Sequence, residues 1–527
     1  VLLATPESWG VSDPIVVAAV EKGELKPIPE QVQALVDKAR RLASLRTKAN
    51  ADKRLTLMFW NHPGGEKNIG ASNLNVPKSL SVLTERLAAA GYEVPPTNEK
   101  ILIEDAQAML GGYYRPETLD GLLARGLATS APLADYTAWL DRQPPAVKQA
   151  VIARWGAPER HWAVRAIGGR RVFVIPRLTL GKLTILPQPP RADRVGEAYH
   201  DTKVAPGHLY LATYLMARET LASDALIHFG THGTQEWTPG KDRGLSVEDF
   251  PFLTVGDLPV FYPYIQDNIS EAIQAKRRGR AVTISHQTPP FAPAGLYDEL
   301  RDLHALIHEY DQLDAGPVRE RTAEQIQALA RSSGLAGDMG WSDKRLRAEF
   351  PAFLPALHDH LHALAATATP LGLHTFGEAA DVELRAATVM QQLGEPYYRR
   401  LGLDPKEVFA EDFGALKTSP AYVLTLRRLQ SPGALPDITD PELSAMLERG
   451  AALDRNLAET GEIEALLTGL SGGFVRAGPG GDPVRNPEVP SGRNLFAFEP
   501  DKLPTKAAYA AGMRAFDQLY DAYRRQH

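Results

Sequence analysis

The chain has 527 residues, 44% of them hydrophobic and 23% charged, which is typical of a globular protein with several domains. Its net charge of −6, without a strongly basic domain, argues against a nucleic-acid binder. No apolar run is long enough to span a bilayer. The sequence contains no cysteine, which excludes disulfides and thiolate metal sites. VLLATPESWG lacks a basic signal-peptide segment and an initiator Met, so we expect a cytoplasmic protein and a piece of a longer chain.

The first 293 residues are predicted to alternate strands and helices. Residues 1–50 are expected to form a helical lead-in left from an upstream domain. RLTLMFW (54–60) is typical of a buried strand. A Gly- and Asn-rich loop follows it, and SLSVLTERLAAAGYEV (79–94) has the pattern of a helix. A strand, a Gly-rich loop and a helix form the repeating unit of a doubly wound α/β layer.

We assign residues 51–160 to one α/β domain and residues 161–293 to a second. The second domain carries strand candidates RRVFVIP, KLTILPQPP, DALIHFG, VFYPYI and AVTISH. Residues 294–473 show helical periodicity throughout and predict a mainly helical domain. Residues 474–527 comprise a Gly- and Pro-rich loop, interpreted as a linker or an ordered functional loop, and a terminal helix. The predicted fold class is therefore multi-domain α/β, with doubly wound layers followed by a largely helical region.

HFGTHGTQEWTPGK (228–241) is the segment with the most distinctive chemistry. It continues the strand DALIHF into a loop, and ligand sites of α/β sheets form at the carboxyl ends of strands. His228, His232 and Glu236 recur every four residues. Two imidazoles and a carboxylate suit a divalent transition metal, and they suit proton transfer equally well. The structural alternative is that His228 is a core histidine and Glu236 a capping residue.

Other candidate sites have weaker patterns. His304 and His308 are four residues apart on a predicted helix, so they could bind a metal or face solvent. His358, His360 and His362 alternate, which spreads them around a helix and predicts surface or boundary positions. No GxxxxGK[ST] motif is present, so ATP hydrolysis by the Walker route is not expected.

Four blocks of the sequence resemble a known family in the family's own order. They are ADKRLTLMFWNHPGGEKNIGASNLNVPKSL, HFGTHGTQEWTPGK, YPYIQDNISEAIQAKRRGRAVTISHQTPP and GPGGDPVRNPEVPSGRNLFAFEPDKLPTKAA. Together they resemble the large subunits of tetrapyrrole metal chelatases, the cobaltochelatase CobN and magnesium chelatase H family. The EWTPGK ending and the YPYI segment resemble the cobalt enzymes more. Family members are more than twice as long as this chain.

The resemblance implies insertion of Co²⁺, as substrate metal, into a corrin precursor, hydrogenobyrinic acid a,c-diamide, in cobalamin biosynthesis. ATP and Mg²⁺ would be used by AAA+ partner subunits of the CobS/CobT type, in line with the missing Walker motif. Glu236 is then the main candidate for proton acceptor or metal relay, with His232 and His228 assisting and all three able to contact the metal. Magnesium chelatase acting on protoporphyrin, or a non-catalytic tetrapyrrole or metal carrier, are the alternatives.

The substrate of such an enzyme has carboxylate side chains around an apolar ring. Basic residues at the pocket mouth would pair with the carboxylates, and aromatic residues would stack on the ring or pack beneath it. Two further histidines, one in PGHLY and one after AVTIS, lie in or near family blocks. The predicted substrate-binding residues are Trp237, Lys241, His208, Tyr262, Tyr264, Lys276, Arg277, Arg278, His286, Arg485 and Arg493.

Overall fold

The computed structural model describes residues 2–431, 433, 435, 437–500 and 503–526. An α/β layer occupies the first part of the chain, and helices dominate from Glu299 to Leu470. This is the predicted fold class. Within the described residues, no helix is both long and apolar enough to cross a membrane.

The strands build one large sheet and several small ones. They are β1 (Ala18–Glu21), β2 (Glu24–Pro27), β3 (Leu55–Phe59), β4 (Ala128–Pro132), β5 (Val164–Ile167), β6 (Arg170–Pro176), β7 (Leu178–Leu180), β8 (Leu183–Pro187), β9 (Ala225–Phe229), β10 (Val260–Ile265), β11 (Ala281–His286), β12 (Phe291–Pro293), β13 (Ala368–Pro370), β14 (Ala477–Pro479) and β15 (Asn494–Phe496). The large sheet has the order β11-β10-β9-β3-β8-β7, and β4-β6-β5 form a three-stranded sheet.

The large sheet is parallel except at its edge, where β7 runs antiparallel to β8. Every residue of β3, β8, β9 and β10 is buried, because both faces of the sheet are covered. The next two parallel strands of this sheet along the chain, β8 and β9, pair with opposite sides of β3, so the strand order diverges there. Ligand crevices form at such a point, outside the carboxyl ends of the strands.

The helices cover the sheet and then form a separate region. They are α1 (Ala4–Ser8), α2 (Pro29–Thr47), α3 (Val76–Ala89), α4 (Glu99–Tyr114), α5 (Leu119–Ala124), α6 (Leu133–Asp141), α7 (Pro145–Trp155), α8 (His208–Leu215), α9 (Phe250–Val255), α10 (Ile269–Arg277), α11 (Glu299–Gln312), α12 (Pro317–Ser332), α13 (Leu335–Asp338), α14 (Asp343–Ala348), α15 (Phe350–Ala365), α16 (Val382–Leu393), α17 (Glu395–Arg400), α18 (Pro405–Ala410), α19 (Phe413–Leu416), α20 (Pro420–Gln430), α21 (Pro441–Ala458), α22 (Glu462–Leu470) and α23 (Lys506–Gln526). Asparagine side chains cap the first turns of α3, α4 and α10, which fixes where these helices begin.

The boundary predicted at residue 160 does not separate two α/β domains. Strand β3 comes from the first segment, yet it lies between β8 and β9 of the second. The small sheet likewise joins β4 to β5 and β6 across that boundary. Parallel pairing needs long crossover connections, so strands distant in sequence become neighbours. One α/β unit therefore spans both segments.

The chain ends and the helical region also differ from the predicted boundaries. The lead-in contains the β1–β2 hairpin as well as helices. The helical region has two hydrophobic cores, one around α11 and α15 and one around α16 and α20, whereas α22 packs into the core of the α/β unit. In the last segment, β15 packs on β11, where Leu495 N donates to Thr283 Oγ1 at 2.8 Å. Part of this segment is thus an ordered edge of the α/β unit.

Candidate active site

The loop after β9 turns sharply at the carboxyl edge of the sheet. Gly230 has φ +92°, and a Cβ there would collide with the side chain of Ala71. His232 also has a positive φ, +79°, which is uncommon for a residue with a side chain. A side-chain Cβ at Gly233 would clash with Trp60 and Tyr262. The glycines predicted to exclude a helix therefore allow the loop to pack closely on neighbouring strands.

His232 is held by a carboxylate from the next crossover helix. Its Nδ1 lies 3.0 Å from Glu271 Oε2 on α10, and Tyr264 OH donates to the same oxygen at 3.1 Å. Burial alone would raise the pKa of Glu271, but hydrogen bonds from His232, Asn268 and Tyr264 lower it to about 2. An ionised carboxylate only accepts hydrogen bonds, so the neutral His232 imidazole carries its proton on Nδ1. Its Nε2 lone pair remains available as a base or metal ligand.

Glu236 lies on a short 3-10 turn, Gln235–Trp237, and is fully buried. Tyr262 OH donates to its Oε1 at 3.1 Å and accepts from Gly233 N at 2.8 Å. The other oxygen, Oε2, has no hydrogen-bond partner among the described residues. Burial raises the pKa of Glu236 to about 7, against the opposing effect of its hydrogen bonds. A carboxyl group that titrates near neutral pH can both accept and return a proton.

His228 is a core histidine. It is fully buried at the end of β9, with ring contacts to Trp60 and Tyr262 at 5.2 Å between centroids. Its Nε2 lies 3.0 Å from Tyr214 OH. Burial lowers the pKa of His228 to about 3, so the imidazole is neutral. These contacts favour the interpretation of His228 as a core histidine over that of a metal ligand.

The predicted metal set of His228, His232 and Glu236 does not converge in the structure. Each side chain is engaged with a different partner: His228 with Tyr214, His232 with Glu271, and Glu236 with Tyr262. Within the described residues, the group of three or more candidate ligands that does converge lies elsewhere, in the helical region. The reason is local, because the tight turn at His232 breaks the strand periodicity that would have aligned the three side chains.

A cavity of about 320 Å³ opens beside His232, within the usual range of small-molecule sites. Its wall includes Trp60, Asn61, His62, Gln188, Arg191, Tyr199, His232 and Thr234. The His62 ring lies 4.7 Å from that of His232 and is stacked on Tyr199 at 5.4 Å, between centroids. Burial lowers the pKa of His62, and the nearby His232 lowers it further. The His62 and His232 rings and the aromatic side chains thus face the cavity together.

Sequence reasoning missed His62, Tyr199, His200 and Glu271. His62 follows β3 closely, and β3 neighbours β9, so the strand-end rule would have placed it beside His232 had the strand order been known. The Tyr199 hydroxyl donates to the carbonyl of His232, and His200 stacks on Trp237 at 4.5 Å between centroids. Tyr199 and His200 come from the segment 191–207, whose sequence has no spacing signal that connects it with the loop.

A family model described as CobN/Magnesium Chelatase matches residues 1–527. The chain belongs to the CobN/magnesium chelatase family. The resemblance of the four sequence blocks is thereby confirmed.

Relatives of this family chain include both cobalt and magnesium enzymes. The aerobic cobaltochelatase subunit CobN of Pseudomonas aeruginosa is 32% identical over 94% of this chain and 43% of that protein. The magnesium-chelatase H subunit of Rhodobacter capsulatus is 30% identical over 97% of this chain and 38% of that protein. The solved catalytic subunit of cobaltochelatase from Mycobacterium tuberculosis matches with a TM-score of 0.80 at 27% identity, covering 100% of this chain and 46% of that one. The chain spans less than half the length of these proteins.

Three of the six basic residues predicted at the pocket mouth are held by structural partners instead. Lys276 is buried and donates to the carbonyl of Leu495 at 3.0 Å, and Arg277 pairs with both oxygens of Glu7 at 2.7 and 2.8 Å. Arg278 donates to the carbonyl of Glu236 at 2.7 Å and also to those of Thr238, Gly240 and Lys241. Arg278 therefore fixes the loop that carries Glu236 and is not free for a ligand.

The remaining basic residues lie nearer to solvent. The side chain of Lys241 is 60% exposed, with Asp249 at 3.6 Å, and that of Arg485 is 86% exposed. Arg493 is half-buried, and its backbone N–H donates to Ser285 Oγ at 2.9 Å. Lys241 and Arg485 remain candidates for pairing with carboxylates of a ligand, since neither is buried against the fold.

The aromatic residues and the two outlying histidines also pack within the fold. Tyr262 and Tyr264 are buried, and their hydroxyls hold Glu236 and Glu271, so they do not stack on a ligand. His208 begins α8, and its Nδ1 lies 2.8 Å from Tyr136 OH. His286 stacks on His374 at 5.6 Å between ring centroids, and burial lowers its pKa to about 4. These residues lie at or near the ends of strands and helices, where ligand contacts are also found. The sequence does not distinguish the two roles, and the structure shows that these side chains are buried.

Proposed function

We propose that this chain forms the tetrapyrrole-binding catalytic part of a cobaltochelatase. The substrates would be Co²⁺ and a corrin precursor, hydrogenobyrinic acid a,c-diamide, and the reaction would belong to cobalamin biosynthesis. The observation that carries the proposal is the buried Glu236 carboxyl, with a pKa of about 7, beside an aromatic and histidine-lined cavity in a chelatase family member. ATP and Mg²⁺ would be used by AAA+ partner subunits of the CobS/CobT type, in the cytoplasm.

Metal insertion requires that the ring lose its N–H protons and the metal lose its water. His232 would present its Nε2 lone pair to the incoming metal or to a ring proton, because Glu271 fixes the tautomer. Glu236 is enclosed, so we propose that it takes up the proton through neighbouring hydroxyl groups and not by direct contact. Tyr262 OH donates a hydrogen bond to Glu236. Tyr199 lines the cavity, and its pKa is raised mainly by burial and also by the charge of Glu236.

Cobalt is favoured over magnesium by the donor atoms around the cavity. His62 and His232 line it, and His200 stacks on Trp237 nearby. Imidazole nitrogen suits Co²⁺, whereas Mg²⁺ prefers carboxylate, carbonyl and water oxygens. The cobaltochelatase relative is 32% identical and the magnesium-chelatase relative is 30% identical, so sequence identity hardly separates them. Magnesium chelation of protoporphyrin therefore remains the second candidate.

Titration with the two tetrapyrroles separates these candidates. Trp60 lines the cavity, so quenching of tryptophan fluorescence reports binding there. We expect the corrin precursor to bind at least about tenfold more tightly than protoporphyrin, a difference of about 1.4 kcal/mol. A Trp60→Phe variant should lose part of the quenching signal, which would place the ligand near this residue. Tighter binding of protoporphyrin would overturn the cobalt assignment.

A further inference from the structure

A second cluster of histidines lies in the helical region, away from the candidate active site. His304 and His308 are one turn apart on α11, and His358 and His362 are one turn apart on α15. Glu407, on α18, completes the cluster. The surface or boundary positions predicted for His358 and His362 rested on the alternating spacing of histidines two residues apart. The spacing of four between His358 and His362 instead puts both on one face of α15, toward α11.

Several distances between ligand atoms of this cluster are close to those in a tetrahedral metal shell. The Nε2 atoms of His358 and His362 lie 3.1 Å apart, and those of His304 and His362 lie 3.4 Å apart. Glu407 carboxylate oxygens lie 3.5 Å from His362 Nε2 and 3.7 Å from His304 Nε2. Four ligands at about 2.0–2.1 Å from a zinc-type ion are separated from one another by roughly 3.3–3.4 Å. The four atoms all lie within 4.8 Å of one another.

The surroundings of the cluster orient its ligands. His362 Nδ1 lies 3.1 Å from the carbonyl oxygen of Lys406, which can only accept a hydrogen bond. The proton of a neutral His362 is therefore on Nδ1, and the Nε2 lone pair is directed at the other ligands. Several imidazole nitrogens directed at one point cannot all donate to one another, so a cation between them would relieve the repulsion of their lone pairs. His308 Nε2, at 3.2 Å from His304 Nε2, lies at the rim.

We propose that His304, His358, His362 and Glu407 bind one divalent transition-metal ion of the zinc type in tetrahedral coordination. Three nitrogen ligands and one oxygen ligand without thiolate suit Zn²⁺ and Co²⁺ alike. The ion would join α11, α15 and α18 within one hydrophobic core. The site is separate from the cavity at His232 and does not depend on the function proposed for it.

The test is metal binding by this chain after removal of all metals with a chelator. Zn²⁺ is titrated in the presence of a competing indicator, and bound metal is counted by mass spectrometry. We expect one equivalent bound by the wild type, and by His360→Ala, a control on α15 outside the cluster. His362→Ala should weaken binding by at least about 100-fold, since even outer-shell partners of metal ligands contribute 10–100-fold. The His232→Ala variant should still bind one equivalent of Zn²⁺, which would show that this site is separate from the cavity.

Two further measurements keep the proposal testable if His362→Ala misfolds. Glu407→Gln changes a side chain that is 43% exposed, so it should fold and yet bind Zn²⁺ more weakly than the wild type. Co²⁺ bound at the site should give the strong visible absorption of a four-coordinate ion, and Zn²⁺ should displace it. Equal zinc affinity in the wild type, His362→Ala and Glu407→Gln would overturn the proposal, as would a Co²⁺ spectrum typical of six-coordination.

Discussion

Under the proposed function, replacing Glu236 by glutamine is expected to lower the rate of cobalt insertion, assayed together with ATPase subunits, by about 100-fold or more. Glutamine keeps the shape and the hydrogen bond from Tyr262 but cannot accept the proton released by the ring. General acid–base groups contribute about 10²–10⁴-fold to rates, and this carboxyl has the pKa, about 7, that suits the role. Binding of the corrin precursor should persist, which would exclude a pure carrier.

The same substitution is expected to stabilise the fold at high pH, so that lost activity cannot be attributed to unfolding. The folded protein retains the Glu236 proton up to pH of about 7, whereas the unfolded chain releases it near the usual pKa of 4.5. Stability associated with this group is therefore present below pH 4.5 and is lost as the pH rises through 7. At pH 8 the glutamine variant should gain up to about 3 kcal/mol in free energy of unfolding.

The control for Glu236 is Glu248→Gln, an exposed carboxylate on the loop that follows the same segment. We expect it to change neither insertion nor the pH dependence of unfolding. Unchanged cobalt insertion by Glu236→Gln would contradict the catalytic assignment. A variant that loses tetrapyrrole binding along with activity would show that Glu236 shapes the cavity instead.

Replacing Glu462 by alanine is expected to lower the free energy of unfolding of the α/β unit by about 3–5 kcal/mol. Glu462 is fully buried and accepts hydrogen bonds from His374 Nε2 at 2.9 Å, Gln287 N at 2.8 Å and Gly377 N at 2.6 Å. These bonds join α22 to the segment that follows β11 and to the loop between β13 and α16. Burial alone would raise the pKa of Glu462, but His374 and its other partners lower it, so its stabilising effect should fade as the pH falls.

Glu464→Ala is the matched control, because Glu464 lies two residues further along α22 and is exposed. Its effect should stay within about 0.5 kcal/mol, as for most surface substitutions. Chemical denaturation monitored by circular dichroism measures both variants. Equal stability of Glu462→Ala and Glu464→Ala would show that the buried carboxylate does not stabilise this junction.

The secondary structure of the α/β unit could be predicted because its strands are apolar runs and its helices are capped and periodic. RLTLMFW and DALIHFG are recognisable as buried strands, and they form β3 and β9. Their adjacency in the sheet could not be predicted, since 165 residues separate the end of β3 from the start of β9. Periodicity along the chain describes one element at a time and carries no information on which parallel strands pair.

The candidate site shows the same division. His232 and Glu236 could be predicted because they follow a strand in a glycine-rich loop, and both lie at the carboxyl edge of the sheet. Their partners could not: Glu271 lies on the next crossover helix, and His62 follows a strand whose neighbours were unknown. The basic residues around Lys276 were predicted to bind the substrate, because the sequence does not show which basic side chains donate to buried backbone carbonyls.

A structure of the protein with the corrin precursor bound is the most direct test of the proposed site. We expect the ring in the cavity lined by His62, Tyr199 and His232, with the loop of Glu236 beneath it. A ring bound at another surface, with that cavity left to solvent, would contradict the proposed site.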